Sequence, residues 1–287
     1  MARKFSLGVF VFACAVLSGF AGAADGVDVS IQMVREDPGL FLMAKGEFAL
    51  DGQNYTFQIW VEDVQQTGRA SASKHENWYF TADSYEGYTD YQVVPKLLGL
   101  NGKLYEVRLD YEAKRFQLKP YAGEMAPVDI GLETERLSLK GSDASPNVML
   151  YRPGKRVLLP PGKYTLDQYQ LVKKAEGGAR WYVCALGTDK SPVLSVQKGT
   201  NAALSIGGPY APGVKASVVK VGPGLFGSLL GRPEKEVAAL NFALIGTWNE
   251  DASQVFPIGA ASRPPAPTYR LRKSDGEIVA QGRFEYG

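Results

Sequence analysis

The sequence predicts an all-β protein, built as two or three β-sandwich-like modules behind a cleaved signal peptide. Three observations lead there. Apolar residues alternate with polar ones over short runs, the period-two signature of half-buried strands. Gly and Pro are abundant, at 32 and 17 of 287 residues, and they punctuate those runs. The first third of the chain holds no stretch with the 3.6-residue apolar period of an amphipathic helix.

Residues 1–23 read as a signal peptide. Arg3 and Lys4 form the basic start, Phe5 to Phe20 is apolar, and Ala21-Gly22-Ala23 offers the small residues a signal peptidase needs. A competing reading takes Val11-Phe12-Ala13-Cys14 as a lipobox, with a lipidated Cys14. It would leave a short apolar core and a purposeless apolar run after the cysteine. The expected location is therefore secreted or periplasmic, with no integral anchor after cleavage.

Residues 24–125 read as an N-terminal antiparallel domain. Val27, Val29, Ile31 and Met33 alternate with Asp28, Ser30 and Gln32. Phe48 and Leu50 run into Asp51-Gly52, and Tyr55, Phe57, Ile59 and Val61 leave on one face, which predicts a hairpin. A second hairpin turns at Asn101-Gly102. Phe116 and Leu118 mark the next strand.

Residues 126–198 read as a middle sandwich module, with turn signals roughly every eight to twelve residues. Its marker is Leu158-Leu159-Pro160-Pro161-Gly162-Lys163-Tyr164-Thr165-Leu166. Two prolines fix φ and remove backbone donors, Gly162 can supply a positive φ, and Tyr164 and Leu166 start a strand. This stretch resembles the strand openings of carboxypeptidase-regulatory-like and CnaB-type β-sandwich domains. The resemblance implies an extracytoplasmic sandwich, Ig-like or prealbumin-like, and no particular activity. Trp181 to Leu186 is another apolar strand, and Cys184 within it reads as a small core residue.

Residues 199–287 read as a C-terminal Ig-like module. Glu234 to Ile245 has good helix formers, yet Leu240, Phe242 and Leu244 alternate and Asn241 would spoil a helical apolar face, so a strand is expected. Ser274-Asp275-Gly276 closes a terminal hairpin. Gly222 to Gly231, with Leu225, Phe226, Leu229 and Leu230, is expected to make one turn that plugs a sandwich end.

Charge and side-chain inventory then narrow function. Losing Arg3 and Lys4 takes the formal net charge from +2 to zero, which leaves no footprint for nucleic acid or anionic lipid. Losing Cys14 leaves Cys184 alone, so no intramolecular disulfide forms. His75 is the one histidine, in a polar loop without a nucleophile elbow, which argues against a Ser-His-Asp triad and against zinc.

Asp63-Val64-Gln65-Gln66-Thr67-Gly68 has the phase of an EF-type loop and resembles degenerate Asp/Asn-Gly loops of exported β proteins. Asp63, Gln65 and Thr67, with Asp83 folding back, are the candidate ligands for calcium, the one cofactor left open. Lys74 at the twelfth position argues against it. Carboxylates paired on one face, Glu133 with Glu135 and Glu234 with Glu236, are the material a glycoside hydrolase would need, although such pairs are ordinary on exposed strands.

The most unusual composition lies in residues 77–91, where six of fifteen residues are aromatic against 11% for the chain. Trp78, Tyr79, Tyr85, Tyr88 and Tyr91, interleaved with Asp, Glu, Asn and Thr, suit a carbohydrate platform or a protein contact. The expectation is an exported, non-catalytic envelope or secreted protein with a structural or interaction role. A carbohydrate-binding accessory module using residues 77–91 is the alternative, and a glycosidase the least favoured reading.

Overall fold

A computed structural model describes residues 26–35, 41–62, 77–82, 92–174, 177–221, 235–258 and 265–285. Every regular element among them is a strand, so the protein is all-β. No helix among the described residues is long and apolar enough to cross a membrane.

The chain opens with β1 (Val27–Ser30) and β2 (Gln32–Arg35), then the long hairpin of β3 (Phe41–Leu50) and β4 (Gln53–Glu62). Its turn is Asp51-Gly52, with φ of 50° and 78° between paired Leu50 and Gln53. Two consecutive left-handed residues give the mirror-image turn whose twist matches that of antiparallel strands. β5 (Asn77–Ala82) and β6 (Gln92–Val93) complete a five-stranded sheet in the order β2-β3-β4-β5-β6. β7 (Leu97–Leu100), β8 (Lys103–Asp110) and β9 (Arg115–Pro120) follow, with the same turn at Asn101-Gly102, φ 51° and 75°.

Next come β10 (Ala126–Asp129), β11 (Arg136–Ser142), β12 (Val148–Tyr151), β13 (Arg156–Leu159), β14 (Gly162–Lys174), β15 (Arg180–Leu186) and β16 (Leu194–Val196). The last are β17 (Ala202–Ala203), β18 (Ala211–Val221), β19 (Lys235–Ile245), β20 (Asp251–Pro257), β21 (Thr268–Arg272) and β22 (Ile278–Arg283). Residues 235–245 thus form the strand that alternation predicts, with Asn241 exposed opposite Lys215.

Most strands join one twelve-stranded sheet, in the order β1-β9-β8-β7-β12-β11-β14-β15-β20-β19-β18, with β16 on β14. The three-stranded sheet β13-β10-β17 and the hairpin β21-β22 are separate. At the centre of the long sheet β12 runs parallel to β7, Val148 opposite Leu97. Both strands are buried throughout, which explains why Leu97-Leu98-Gly99-Leu100 and Val148-Met149-Leu150-Tyr151 read as continuous apolar runs.

Two cores use the two faces of these central strands. Leu97, Val148 and Leu150 pack with Val128, Leu159, Tyr164, Leu194, Leu204 and Ile206, against the three-stranded sheet. Leu98, Leu100, Met149 and Tyr151 pack with Phe48, Tyr55, Phe57, Phe80 and Phe116, against the five-stranded sheet. The second core is a ring cluster: Phe57 and Phe116 have centroids 4.2 Å apart, Phe80 and Tyr151 4.7 Å, Phe48 and Tyr55 5.1 Å. Such pairs contribute about 0.5–1.5 kcal/mol each beyond their buried area.

The Pro160-Pro161-Gly162 turn opens β14 as expected, but Gly162 is not left-handed. Its value is space: a Cβ there would run into the hydroxyl of Ser145, which accepts the Lys163 N–H at 3.1 Å. Tyr164, fully buried, donates back to the Pro160 carbonyl at 3.0 Å, and burial pushes its hydroxyl up to about 12. Farther along, the β11 ladder slips between Ser138 and Leu139, so Asp167 bulges out of β14 and Tyr169 joins the face of Leu166.

Candidate functional site

The strongest polar centre among the described residues is Glu250, fully buried at the tight connection between β19 and β20. One carboxylate oxygen accepts from the Gly207 N–H at 2.6 Å and the Tyr169 hydroxyl at 3.0 Å; the other accepts from the Trp248 N–H at 2.8 Å. The Tyr210 hydroxyl lies 3.1 Å from that of Tyr169. Three donors on one carboxylate offset the cost of taking its charge out of water.

Local chemistry builds this centre. Gly246 precedes the turn, and a Cβ there would strike the Glu250 carboxylate. Asn249 takes φ 57°, a conformation Asn tolerates, and its side chain donates to the Lys190 carbonyl at 3.2 Å. Thr247 donates to the carbonyls of Ser205 and Gly207, at 2.5 and 3.1 Å, and the Trp248 indole donates to the Pro192 carbonyl at 3.0 Å. Tyr169 comes from β14 on the first core, placed there by the bulge at Asp167.

Burial, more than any neighbour, drives the Tyr169 hydroxyl far above the ordinary tyrosine range, and the contacts with Tyr210 and Glu250 add to it. Burial also raises Tyr210, with the Glu250 charge adding to it and the Tyr169 bond opposing it. Both tyrosines are therefore neutral hydroxyls at any physiological pH. The arrangement is a carboxylate with both oxygens bound by the protein's own donors. It ties the 204–210 segment and the β19–β20 turn to the central strand β14.

A second buried polar group lies on the other face of the sheet. Arg136, 2% exposed, reaches Gln168 at 3.4 Å, and Gln168 in turn contacts the buried Cys184 thiol. Cys184 is a fully buried core cysteine, as its apolar strand suggested.

The residues singled out from the sequence fall in three groups. Trp78 and Tyr79 lie in β5, opposite Ile59 and Gln58, and Trp78 also pairs with Gln92 of β6. Tyr85, Tyr88, Tyr91, Asp63, Gln65, Thr67, Asp83, His75, Glu234 and residues 222–231 lie outside the described residues. Glu133 is exposed, Glu135 is bound by Arg152 at 2.9 Å, and Glu236 is exposed opposite Lys220. Among the described residues no group of three or more His, Cys, Asp or Glu side chains is placed to hold a metal ion.

Sequence reasoning missed Glu250. Its available signal was Gly246-Thr247-Trp248-Asn249-Glu250, a turn-forming run with an acid directly before a strand. It also missed the surface made by β18 and β19, which pair over eleven residues each without a register shift. One face of that ribbon carries Pro212, Val214, Ala216 and Val218 beside Leu244, Phe242 and Leu240. The terminal hairpin touches it through Phe284, 5.6 Å from Phe242 and 5.2 Å from Tyr269. Val214 and Val218 nevertheless stay 55% and 71% exposed.

Comparison with known proteins brings no relative to this architecture: no protein-family model, no curated protein and no solved structure matches the chain.

Proposed function

We propose that this chain is an exported, non-catalytic β protein of the cell envelope or the secreted medium, with a structural or interaction role. The observation that carries this reading is how Glu250 is used. Its oxygens are occupied by Gly207, Trp248 and Tyr169, so the most deeply buried acid among the described residues holds a loop to a sheet. The exposed valines of the β18–β19 ribbon support action through a surface.

The test is turnover. Purified mature protein is incubated with chromogenic glycosides, esters, phosphoesters and peptides. The expected rate equals that of a heat-unfolded control, and turnover above that control sinks the non-catalytic reading. Export is checked by N-terminal sequencing of protein from the extracytoplasmic fraction, where a start at Ala24 is expected and a lipid-bearing Cys14 would overturn cleavage after Ala23.

One observation keeps carbohydrate binding as the second reading. The β5–β6 pairing, Trp78 opposite Gln92, brings the two ends of the aromatic-rich segment together at one edge of the five-stranded sheet. A glycan panel tests it: binding that Trp78→Ala leaves unchanged removes the aromatic platform from consideration.

A further inference from the structure

We infer that the free edge of β18 pairs with the same edge of a second copy of the chain, antiparallel and centred on Ala216, so that two long sheets join across a two-fold axis. This rests on the interaction role proposed above and names its partner.

Among the described residues β18 is the terminal strand of the long sheet, with β19 as its one neighbour there. Such an edge offers a row of backbone donors and acceptors to any strand that arrives. Proteins normally blunt it by shortness, a bulge, proline or outward charge. β18 is eleven residues long, its ladder with β19 runs unbroken from Ala211 to Val221, and its proline is confined to the second position.

Its central charge is turned away. The Lys215 ammonium lies 2.8 Å from Asp251 Oδ2, and Asp251 begins β20, on the far side of β19. Between Gly213 and Val219 the edge is left with Val214, Ala216, Ser217, Val218 and Val219, all exposed.

The occupant follows from how this edge matches itself. A two-fold axis normal to the sheet places residues of the same face opposite one another. Centred on Ala216, it sets Val214 opposite Val218 of the partner subunit and Lys215 opposite Ser217 of the partner subunit. No lysine meets a lysine, and the apolar face of one ribbon continues into the other. The same axis leaves Lys220 of the partner subunit opposite Pro212 near the strand end, whereas a shift of the centre to Ser217 would bring that ammonium inward against Val214.

Sedimentation of the mature chain tests the state directly, with twice the chain mass expected. Ala216→Lys, an exposed change that sets like charges against each other, is expected to restore the single-chain mass while circular dichroism stays unchanged. Cysteine scanning tests the register. Directly opposed Cα atoms lie about 4.5–5.5 Å apart, inside the disulfide range of roughly 4.4–6.8 Å, so Ala216→Cys should oxidise to a covalent dimer. Ser217→Cys, with its copy on a diagonal of about 7–8 Å, should cross-link several-fold more slowly. Wild-type Cys184 is buried and serves as the silent control.

A single-chain mass at the highest soluble concentration overturns the proposal, as does equal cross-linking at 216 and 217, or capture of an unrelated strand in place of a second copy. None of these results touches the non-catalytic reading, which the turnover assay decides.

Discussion

β14 and β18 are long strands of the same sheet, thirteen and eleven residues, and they live in opposite environments. β14 is flanked on both sides, by β11 and by β15 and β16, and from Tyr164 to Leu171 six of its residues are buried apolar or uncharged polar groups packed on both faces. β18 has one neighbour among the described residues, and Val214 to Lys220 are exposed throughout. Similar backbone geometry therefore carries two energetic roles. In β14 the side chains supply the stability, about 1.5–3 kcal/mol for each large apolar group buried. In β18 the ladder with β19 supplies the order, and the side chains remain available to a partner.

That contrast can be broken at its strong end first. Phe116→Ala, emptying a fully buried ring from the aromatic core, should cost about 3–5 kcal/mol in chemical denaturation. A loss under about 1 kcal/mol would mean the ring cluster is not the core it appears from its geometry.

Glu250→Gln should cost about 2–3 kcal/mol, because the carboxamide turns a donor toward the N–H of Gly207 or Trp248. Thermal melts that coincide with wild type would remove Glu250 as the tie to β14.

Alkaline pH probes the same strand more gently. Tyr164 has its hydroxyl raised from 10 to about 12, so the unfolded chain releases that proton first. Its contribution is complete below pH 10 and is lost as pH rises from 10 through about 12. The urea midpoint should fall across that window, and less so in Tyr164→Phe; an identical fall in both proteins would assign the effect elsewhere.

Val218→Ser should change stability by less than about 0.5 kcal/mol in the single chain. A larger loss, measured by denaturation of the Ala216→Lys single-chain form, would show that the ribbon face is already covered.

The fold was legible where it is local. Alternation over Val27 to Met33 and over Tyr55 to Val61 marked strands, and Asp51-Gly52 and Asn101-Gly102 marked turns whose φ values demand those residues. Asn241 decided strand against helix. What stayed hidden is long-range. The continuous apolar runs at Leu97 and Val148 are compatible with burial on both faces, but nothing near Leu97 announces that its parallel neighbour is Val148. Glu250 was invisible for the same reason: its partners, Tyr169 and Gly207, are distant in sequence, and only the fold brings them to one carboxylate. The exposure of β18 could not be foreseen either, since Val-rich runs mark buried and edge strands alike.

The parallel pair of β7 and β12 also sets an order of events during synthesis. Met149 and Tyr151 belong to the aromatic core otherwise built from residues 27–118. A growing chain that has emerged only as far as residue 125 holds five strands of one sheet and four of another, yet lacks the strand that closes the space between Leu98 and Phe80. Non-local closure of this kind is slow. Phe57 can meet Phe116 and Phe48 can meet Tyr55 before then, but Phe80 gains its Tyr151 neighbour, 4.7 Å away, only once residue 151 is made.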